Sequence, residues 1–360
     1  MPAIKPYTAV GLIPTVKGIR KREDIAVNIE NLRHLSKAAA WLSALSLPVR
    51  LIALPEGALQ GFNDEVLDLD HVEFARACAI DIPGPETDAL GAIAREYQSF
   101  IMAQAKAHHP DWPNSEDRFF NVGFILDPHG EVILKHYKVS PLFPVEHSVC
   151  PHDVYDWWIE KYGRNLDAFW PVVDTDIGRL GIMMANEGSY PENARALAMN
   201  GAEVVYRGSY PHPATGNGYF EIQSRARALD NNMYVIAPNL GAYAIDATGE
   251  AIDTFGGQSF VIDYRGQIVG RQDYGGVATY VAGVVDIEAL RHHRQRAGWD
   301  NWMKDLRTEL YKLLYENPIY PKNLYLERAP MKHGEYRKNV LEKQIALMHQ
   351  RGIWKKSSYD

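Results

Sequence analysis

The sequence predicts an α/β protein in which two sheets, each covered by helices on one face, pack on each other as a four-layer α-β-β-α sandwich. Two observations carry this expectation. The order strand, helix, strand, helix, hairpin occurs in the first half of the 360-residue chain and returns in the second, after Ala185. The strand candidates are short apolar runs, as suits strands covered on both faces. Composition agrees, since 46% hydrophobic and 23% charged residues allow a substantial core. The sandwich is expected to fill residues 1–290, with a charged, aromatic extension over 291–360.

The run YTAVGLIPT is the first strand. From Asp24 onward, Ile25, Ile29, Leu32, Leu35, Ala39 and Leu42 recur at helical spacing. VRLIALPE is the second strand and ends at Glu56. The segment from Thr87 to His108 reads as one amphipathic helix. FFNVGFILDPHGEVILKHYK gives two strands joined at Asp127-Pro128-His129-Gly130, which is hairpin turn chemistry. In the second half, Leu180 to Met184 is a buried strand that turns sharply at Ala185. Pro191 suits a first helical turn, Ala194, Leu197 and Ala198 mark one face, and Gly201 is placed to end the helix. AEVVYR is the next strand, and GGQSFVIDYRGQIVGRQD a second hairpin turning at Asp263 to Gly266. Beyond Leu290, Trp299, Trp302, Leu306, Leu310, Leu313 and Leu314 form a near-helical apolar stripe too large to leave in water, expected to pack on its own chain or to make the contact of a homo-oligomer.

A net charge of -7, without clusters of Lys and Arg among aromatics, argues against a nucleic-acid surface. The cysteines Cys78 and Cys150 are too few for a disulfide framework and point to a reducing compartment. The N-terminal MPAIKPYTAVGLIPTV lacks an uninterrupted apolar core, and AAAWLSALSLPVRLIALP is broken by Ser, Pro and Arg50, so no membrane partner is expected and the location is taken as cytoplasmic. His108-His109 and His292-His293 are adjacent pairs, which rarely face one metal, and neither a metal nor a cofactor is expected.

Glu56, Lys138 and Glu146 stand at strand or hairpin ends. A strand feeding a helix through a tight turn is where many α/β enzymes mount a nucleophile, yet Ala185 puts a methyl group there. The segments LPEGALQGF, HYKVSP and IMMANEGSYPENARALAMNGAEVV resemble the Glu, Lys and Cys motifs of the nitrilase superfamily of carbon-nitrogen hydrolases in everything except the Cys. The resemblance runs from about residue 8 to 290 in family order, through FFNVGFILDPHGE, SRARALDNNMYVIAPNLGA and GGQSFVIDYRGQIV. EGSYPENARALAMNGAEVVYRGSYPHP, PLFPVE and the long extension are most similar to the aliphatic amidase and formamidase branch.

That resemblance implies a sandwich of the nitrilase type and a small-molecule amide substrate, with water as cosubstrate. It implies Glu56 as general base, Lys138 and the backbone N–H of Asn186 as oxyanion donors, Glu146 as the group orienting substrate or water, and Ala185 at the nucleophile's position. Asn186, Tyr190, Ser209 and Tyr210 are the implied substrate-binding positions. The chemistry is coherent, because an amide carbonyl is a poor electrophile and the thiol attacking it must be deprotonated by a neighbour. Without that thiol the chain is expected to form no thioester; Cys78, Cys150 and Ser189 stand in the wrong contexts to replace it.

Two explanations of Ala185 follow. In one, an amidase had its Cys changed to Ala, and Glu56 and Lys138 are retained because the site is otherwise intact. In the other, the protein is naturally a non-catalytic ligand-binding homologue. Hydrolysis of N-carbamoyl compounds, ureas or nitriles uses the same residues and stays open. Tyr155, Trp157, Trp158, Tyr162, Phe169 and Trp170 lie between Glu146 and Ala185, and are expected to line an apolar acyl site or to pack beneath the loop.

Overall fold

A computed structural model describes residues 3–142, 144–209, 217–245, 249, 257–296 and 298–359. The first half contributes strands β1 (Tyr7–Ile13), β2 (Thr15–Lys17), β3 (Val49–Ala53), β4 (Phe100–Ala107), β5 (Phe120–Leu126) and β6 (Val132–Tyr137). The second contributes β7 (Val172–Thr175), β8 (Gly178–Ile182), β9 (Val204–Tyr206), β10 (Tyr234–Ala237), β11 (Ala242–Ala244), β12 (Ser259–Ile262), β13 (Ile268–Gln272) and β14 (Thr279–Val285). One six-stranded sheet has the order β14-β1-β3-β4-β5-β6 and the other β13-β12-β10-β9-β8-β7, while β2 and β11 pair separately. Each large sheet has parallel central strands (β1-β3-β4 and β8-β9-β10) and antiparallel flanks. The halves exchange one element, for β14 leaves the second sheet and pairs antiparallel with β1, Val10 opposite Ala282.

Helices α1 (Ile25–Ser43), α2 (Asn63–Val66), α3 (His71–Cys78) and α4 (Pro85–Tyr97) belong to the first half, and α5 (Tyr155–Tyr162) and α6 (Leu166–Phe169) to the connection between the halves. They are followed by α7 (Pro191–Met199), α8 (Tyr219–Asn231), α9 (Ile287–Gln295), α10 (Thr308–Tyr311), α11 (His333–Tyr336) and α12 (Glu342–Gln350). Three apolar layers separate the four structural layers. Ile29 and Leu32 of α1 and Leu90 and Ile93 of α4 pack on Val10, Ile52 and Ile101 of the first sheet. Ala9, Leu51 and Met102 face Leu180, Val204 and Ile236 across the two sheets. Ala194 and Leu197 of α7, and Phe220 and Ala228 of α8, close the far side. The sequence-derived sandwich is the observed one.

The predicted helix over Thr87–His108 is corrected. Helix α4 begins at Pro85 and stops at Tyr97, where Gln98 turns left-handed with φ 48°. The rest is β4, all of it buried between β3 and β5. No glycine marks the stop, and the alanines of FIMAQAKA favour a helix in isolation. Burial on both faces overrides that preference.

Part of the extension joins the body, with Tyr325, Met331, Tyr336 and Val340 packing into the core of the first sheet and its helices. The stripe around α10 does not. Trp299 is 82% exposed, Leu314 71%, and Leu310 and Leu313 62% each. Among the described residues no helix is long and apolar enough to cross a membrane.

Candidate active site

Glu56 follows β3, Lys138 follows β6 directly, and Glu146 closes the next loop. The fold brings the three together in the interior. Lys138 Nζ donates to Glu56 Oε1 at 2.8 Å and also to Glu146 Oε1. None of the three is more than 6% exposed. Polar side chains of the first sheet hold the cluster in place: Asn121 Nδ2 donates to Glu56 Oε1 at 2.8 Å, and Gln104 Nε2 to Asn121 Oδ1 at 2.7 Å. Gln104 Oε1 in turn accepts the Gly57 N–H at 2.8 Å, and Asn121 O accepts that of Lys138 at 2.9 Å. The turn after Glu56 needs φ +75° at Gly57, which a residue without Cβ adopts freely.

One ammonium between two buried carboxylates leaves a surplus negative charge, so one carboxyl is driven to hold a proton. Burial pushes Glu146 up to about 7, against the pull of Lys138 and with the charge of Glu56 adding. Lys138 itself is raised, its two anionic partners outweighing the desolvation that lowers it. The ammonium therefore stays charged at neutral pH.

On the facing sheet, β8 ends in a tight elbow. Ala185 has φ 37°, a left-handed conformation rare for a residue with a Cβ and common where strain serves a site. Its N–H donates to Gly208 O at 3.0 Å. Buried Arg207 lies beneath, with Nη1 on Ser224 Oγ at 2.6 Å and Nη2 on Gln223 Oε1 at 2.6 Å. A Cβ at Gly188 would come within 2.0 Å of Arg207 Nε, so the elbow requires glycine there. Desolvation brings the Arg207 guanidinium down to about 9.

Glu187 joins the elbow to the Lys138 loop. Its Oε1 accepts the Val139 N–H at 2.7 Å, its Oε2 the Met184 N–H at 2.7 Å, and His136 Nε2 lies 3.0 and 2.9 Å from the two oxygens. Asn186 adds a second tie, its Nδ2 donating to Ser140 O and Pro141 O at 3.2 Å each. The Asn186 amide group is thus engaged with backbone.

A cavity of about 780 Å³ opens beside the elbow, between Asn186, Tyr190 and the loop Val139–Leu142. Tyr155, Phe169, Trp170, Tyr320 and Tyr336 line it, the last two from the extension. Trp170 is fixed by a 3.0 Å bond from Nε1 to Asn193 Oδ1. Trp157, Trp158 and Tyr162 do not line it; they pack around His109, with ring centroids 5.1, 5.6 and 5.9 Å away. The aromatic loop therefore divides between wall and packing. Ser209 is buried and donates its N–H to Pro238 O at 3.0 Å, Tyr190 is half exposed, and Tyr210 lies outside the described residues. Cys150 lies on the cavity wall, but burial holds its thiol well up, and that of Cys78 up to about 12.

Sequence reasoning missed Gln104, Asn121, His136, Glu187 and Arg207. The available signal was polar side chains inside apolar strands: Gln104 in FIMAQAKA, Asn121 in FFNVGF and Arg207 after VVY. Each interrupts a strand otherwise buried throughout, and a buried polar group must find a partner.

Fold and site together define an α-β-β-α protein with a buried Glu-Lys-Glu cluster, whose Lys138 loop is tied through Glu187 and Asn186 to a strained strand-to-helix elbow. The carbon-nitrogen hydrolase family model matches residues 8–291. The chain belongs to that family, within the nitrilase superfamily. Formamidases of Bacillus thuringiensis (strain Al Hakam) and Bacillus cereus (strain AH820) are each 31% identical over 196 residues, 54% of this chain and 51% of theirs. The chain spans about half the length of the curated relatives it matches. Among solved structures, a carbon-nitrogen hydrolase from Helicobacter pylori G27 superposes with TM-score 0.62 at 19% identity, covering 87% of this chain and 99% of that one. A Cys→Ala mutant of the Nesterenkonia sp. AN1 amidase, in complex with butyramide, gives TM-score 0.59 at 18% identity, over 85% and 96%.

Proposed function

We propose that the protein is an amidase scaffold of Glu-Lys-Cys type in which Ala185 occupies the nucleophile's position, so that this form binds a carboxamide without cleaving it. One observation carries the reading: a fully buried Glu56–Lys138–Glu146 cluster is intact while the strained elbow beside the cavity presents a methyl group. With a thiol at 185, Glu56 takes its proton, sulfur attacks the amide carbon, and Lys138 with the Asn186 N–H stabilises the oxyanion. Glu56 then returns the proton to the departing amine, and water, oriented by Glu146, hydrolyses the thioester. N-carbamoyl compounds and ureas enter by the same steps, whereas a nitrile first gives a thioimidate that adds water and loses ammonia to reach its thioester. The butyramide complex of the Nesterenkonia mutant supports amide binding in a site that has lost its thiol. The test is ammonia release by Ala185→Cys over amides, N-carbamoyl compounds and nitriles; inactivity on all of them selects the non-catalytic binder, the reading Ala185 itself favours.

The aromatic side chains Tyr155, Phe169 and Trp170 beside Asn186 support a bulky acyl group, although Glu56, Lys138, Glu146 and Ala185 themselves do not line the cavity. The Ala185→Cys protein is expected to show higher kcat/KM for a phenylalkyl amide than for acetamide. A preference for acetamide would leave Phe169 and Trp170 as packing. A homo-oligomer is part of the reading too, with the exposed Trp299, Leu310, Leu313 and Leu314 as its contact. Light scattering at micromolar concentration should give a mass above that of one chain, and a monomer would remove this role. Two buried, unpaired cysteines suit a reducing, cytoplasmic setting.

A further inference from the structure

Behind the Glu146 loop, three side chains remote in sequence converge: Asp68, His147 and His333 place one ligand atom each within 4.8 Å of one another. Asp68 lies in the turn after α2, His147 follows Glu146, and His333 opens α11 in the extension. His147 Nε2 is 3.1 Å from Asp68 Oδ1, and His333 Nε2 is 3.7 Å from the same oxygen. These separations bracket the ~3.3 Å expected between donors of a tetrahedral site with bonds of about 2.0–2.1 Å.

The second observation is an unpartnered atom. His147 is 2% exposed, and its Nε2 makes no hydrogen bond with any described residue, Asp68 included, despite the short separation. Nitrogen and oxygen are close, but the nitrogen's bonding direction misses the oxygen. Such an off-line approach is what donors show when both aim at a third atom between them. Neighbouring groups keep the donors in place: His71 Nδ1 lies 2.8 Å from His147 O, and the His333 N–H donates to Asp68 Oδ1 at 3.2 Å. The two imidazoles stand edge to face, 4.7 Å apart at 77°.

We propose that Asp68, His147 and His333 form a binding site for a divalent transition metal of the zinc class, which fastens the extension to the loop carrying Glu146. Two imidazoles and a carboxylate are a donor set zinc accepts, with a fourth position for water. His333 Nε2 also lies 3.0 Å from Val145 O and so carries a proton in the metal-free chain. Metal takes the place of that proton at Nε2, the ring proton moves to Nδ1 through solvent so that the imidazole stays neutral, and the contact with Val145 is given up.

The test uses the untagged full chain, stripped with chelator and then titrated with Zn²⁺ by calorimetry and with Co²⁺ by visible absorption. One saturable site per chain is expected, with a tetrahedral Co²⁺ spectrum and a raised melting temperature. His333→Ala and Asp68→Asn should each weaken binding at least roughly tenfold, the low end of what loss of a mere supporting group costs. Far-UV circular dichroism checks that both variants fold, and Asp68→Asn keeps an acceptor for the His333 N–H. No saturable binding, or equal binding in wild type and both variants, overturns the proposal.

Discussion

Ala185→Cys should raise amide turnover by several orders of magnitude. Loss of the nucleophile in a hydrolase that works through a preformed triad costs about 10⁶ in kcat, and the reverse change inherits a cluster that is already assembled. Lys138 is charged and in contact with both carboxylates, and the elbow already carries the left-handed φ. Ala185 is 7% exposed, so the added sulfur would be shielded from bulk water. Ammonia release in single-turnover and steady-state modes would separate acylation from thioester hydrolysis. If the thiol is installed, the fold is intact and no amide, N-carbamoyl compound or nitrile is cleaved, the catalytic reading fails.

Lys138→Met should cost about 3–5 kcal/mol of stability, the usual consequence of removing one partner from a buried ion cluster. The methionine fills the volume but leaves Glu56 and Glu146 facing each other without a counter-charge. The loss should depend on pH. Glu146 already stands at about 7, above its ordinary value of 4.5. The stability linked to such a raised group is complete below 4.5 and is lost as pH rises through 7. Removing Lys138 raises the folded-state value further, so the deficit should be larger at pH 8 than at pH 5. Urea denaturation at the two pH values measures it, and a deficit independent of pH would place the proton elsewhere.

The fold was largely legible because its repeat is written in hydrophobic runs: β1, β3, β5, β6, β8, β9 and the β12–β13 hairpin all coincide with segments picked out by apolar runs and turn residues. β4 was misread as helix, because alanine-rich sequence carries a helical preference and only tertiary burial decides, and β2, β7, β10 and β11 were not assigned. Strand β14 was also hidden, since its place beside β1 depends on the chain crossing from one sheet to the other. At the site, Glu56, Lys138, Glu146 and the elbow stood in segments with a family likeness. Of their supports, Asn121, His136, Glu187 and Arg207 lay in those segments too, but nothing there marked them as supports, and Gln104 lay outside. Gln104, Asn121 and Glu187 act through contacts between elements far apart in the chain, and periodicity reports only which face of its own element a residue occupies.

Glu187 has a consequence for the chain's divisibility. The internal repeat suggests two modules, and the run between β6 and β7 looks like the place to part them. Yet the carboxylate of one module takes main-chain N–H groups from both, Val139 on one side and Met184 on the other, with His136 beneath. Separated, the first module would keep a loop with no acceptor for Val139, and the second a buried anion lacking two of its donors. Neither would be a finished protein. Two copies of one pattern have become a single folding unit, and the shared side chain is the pin between their two loops.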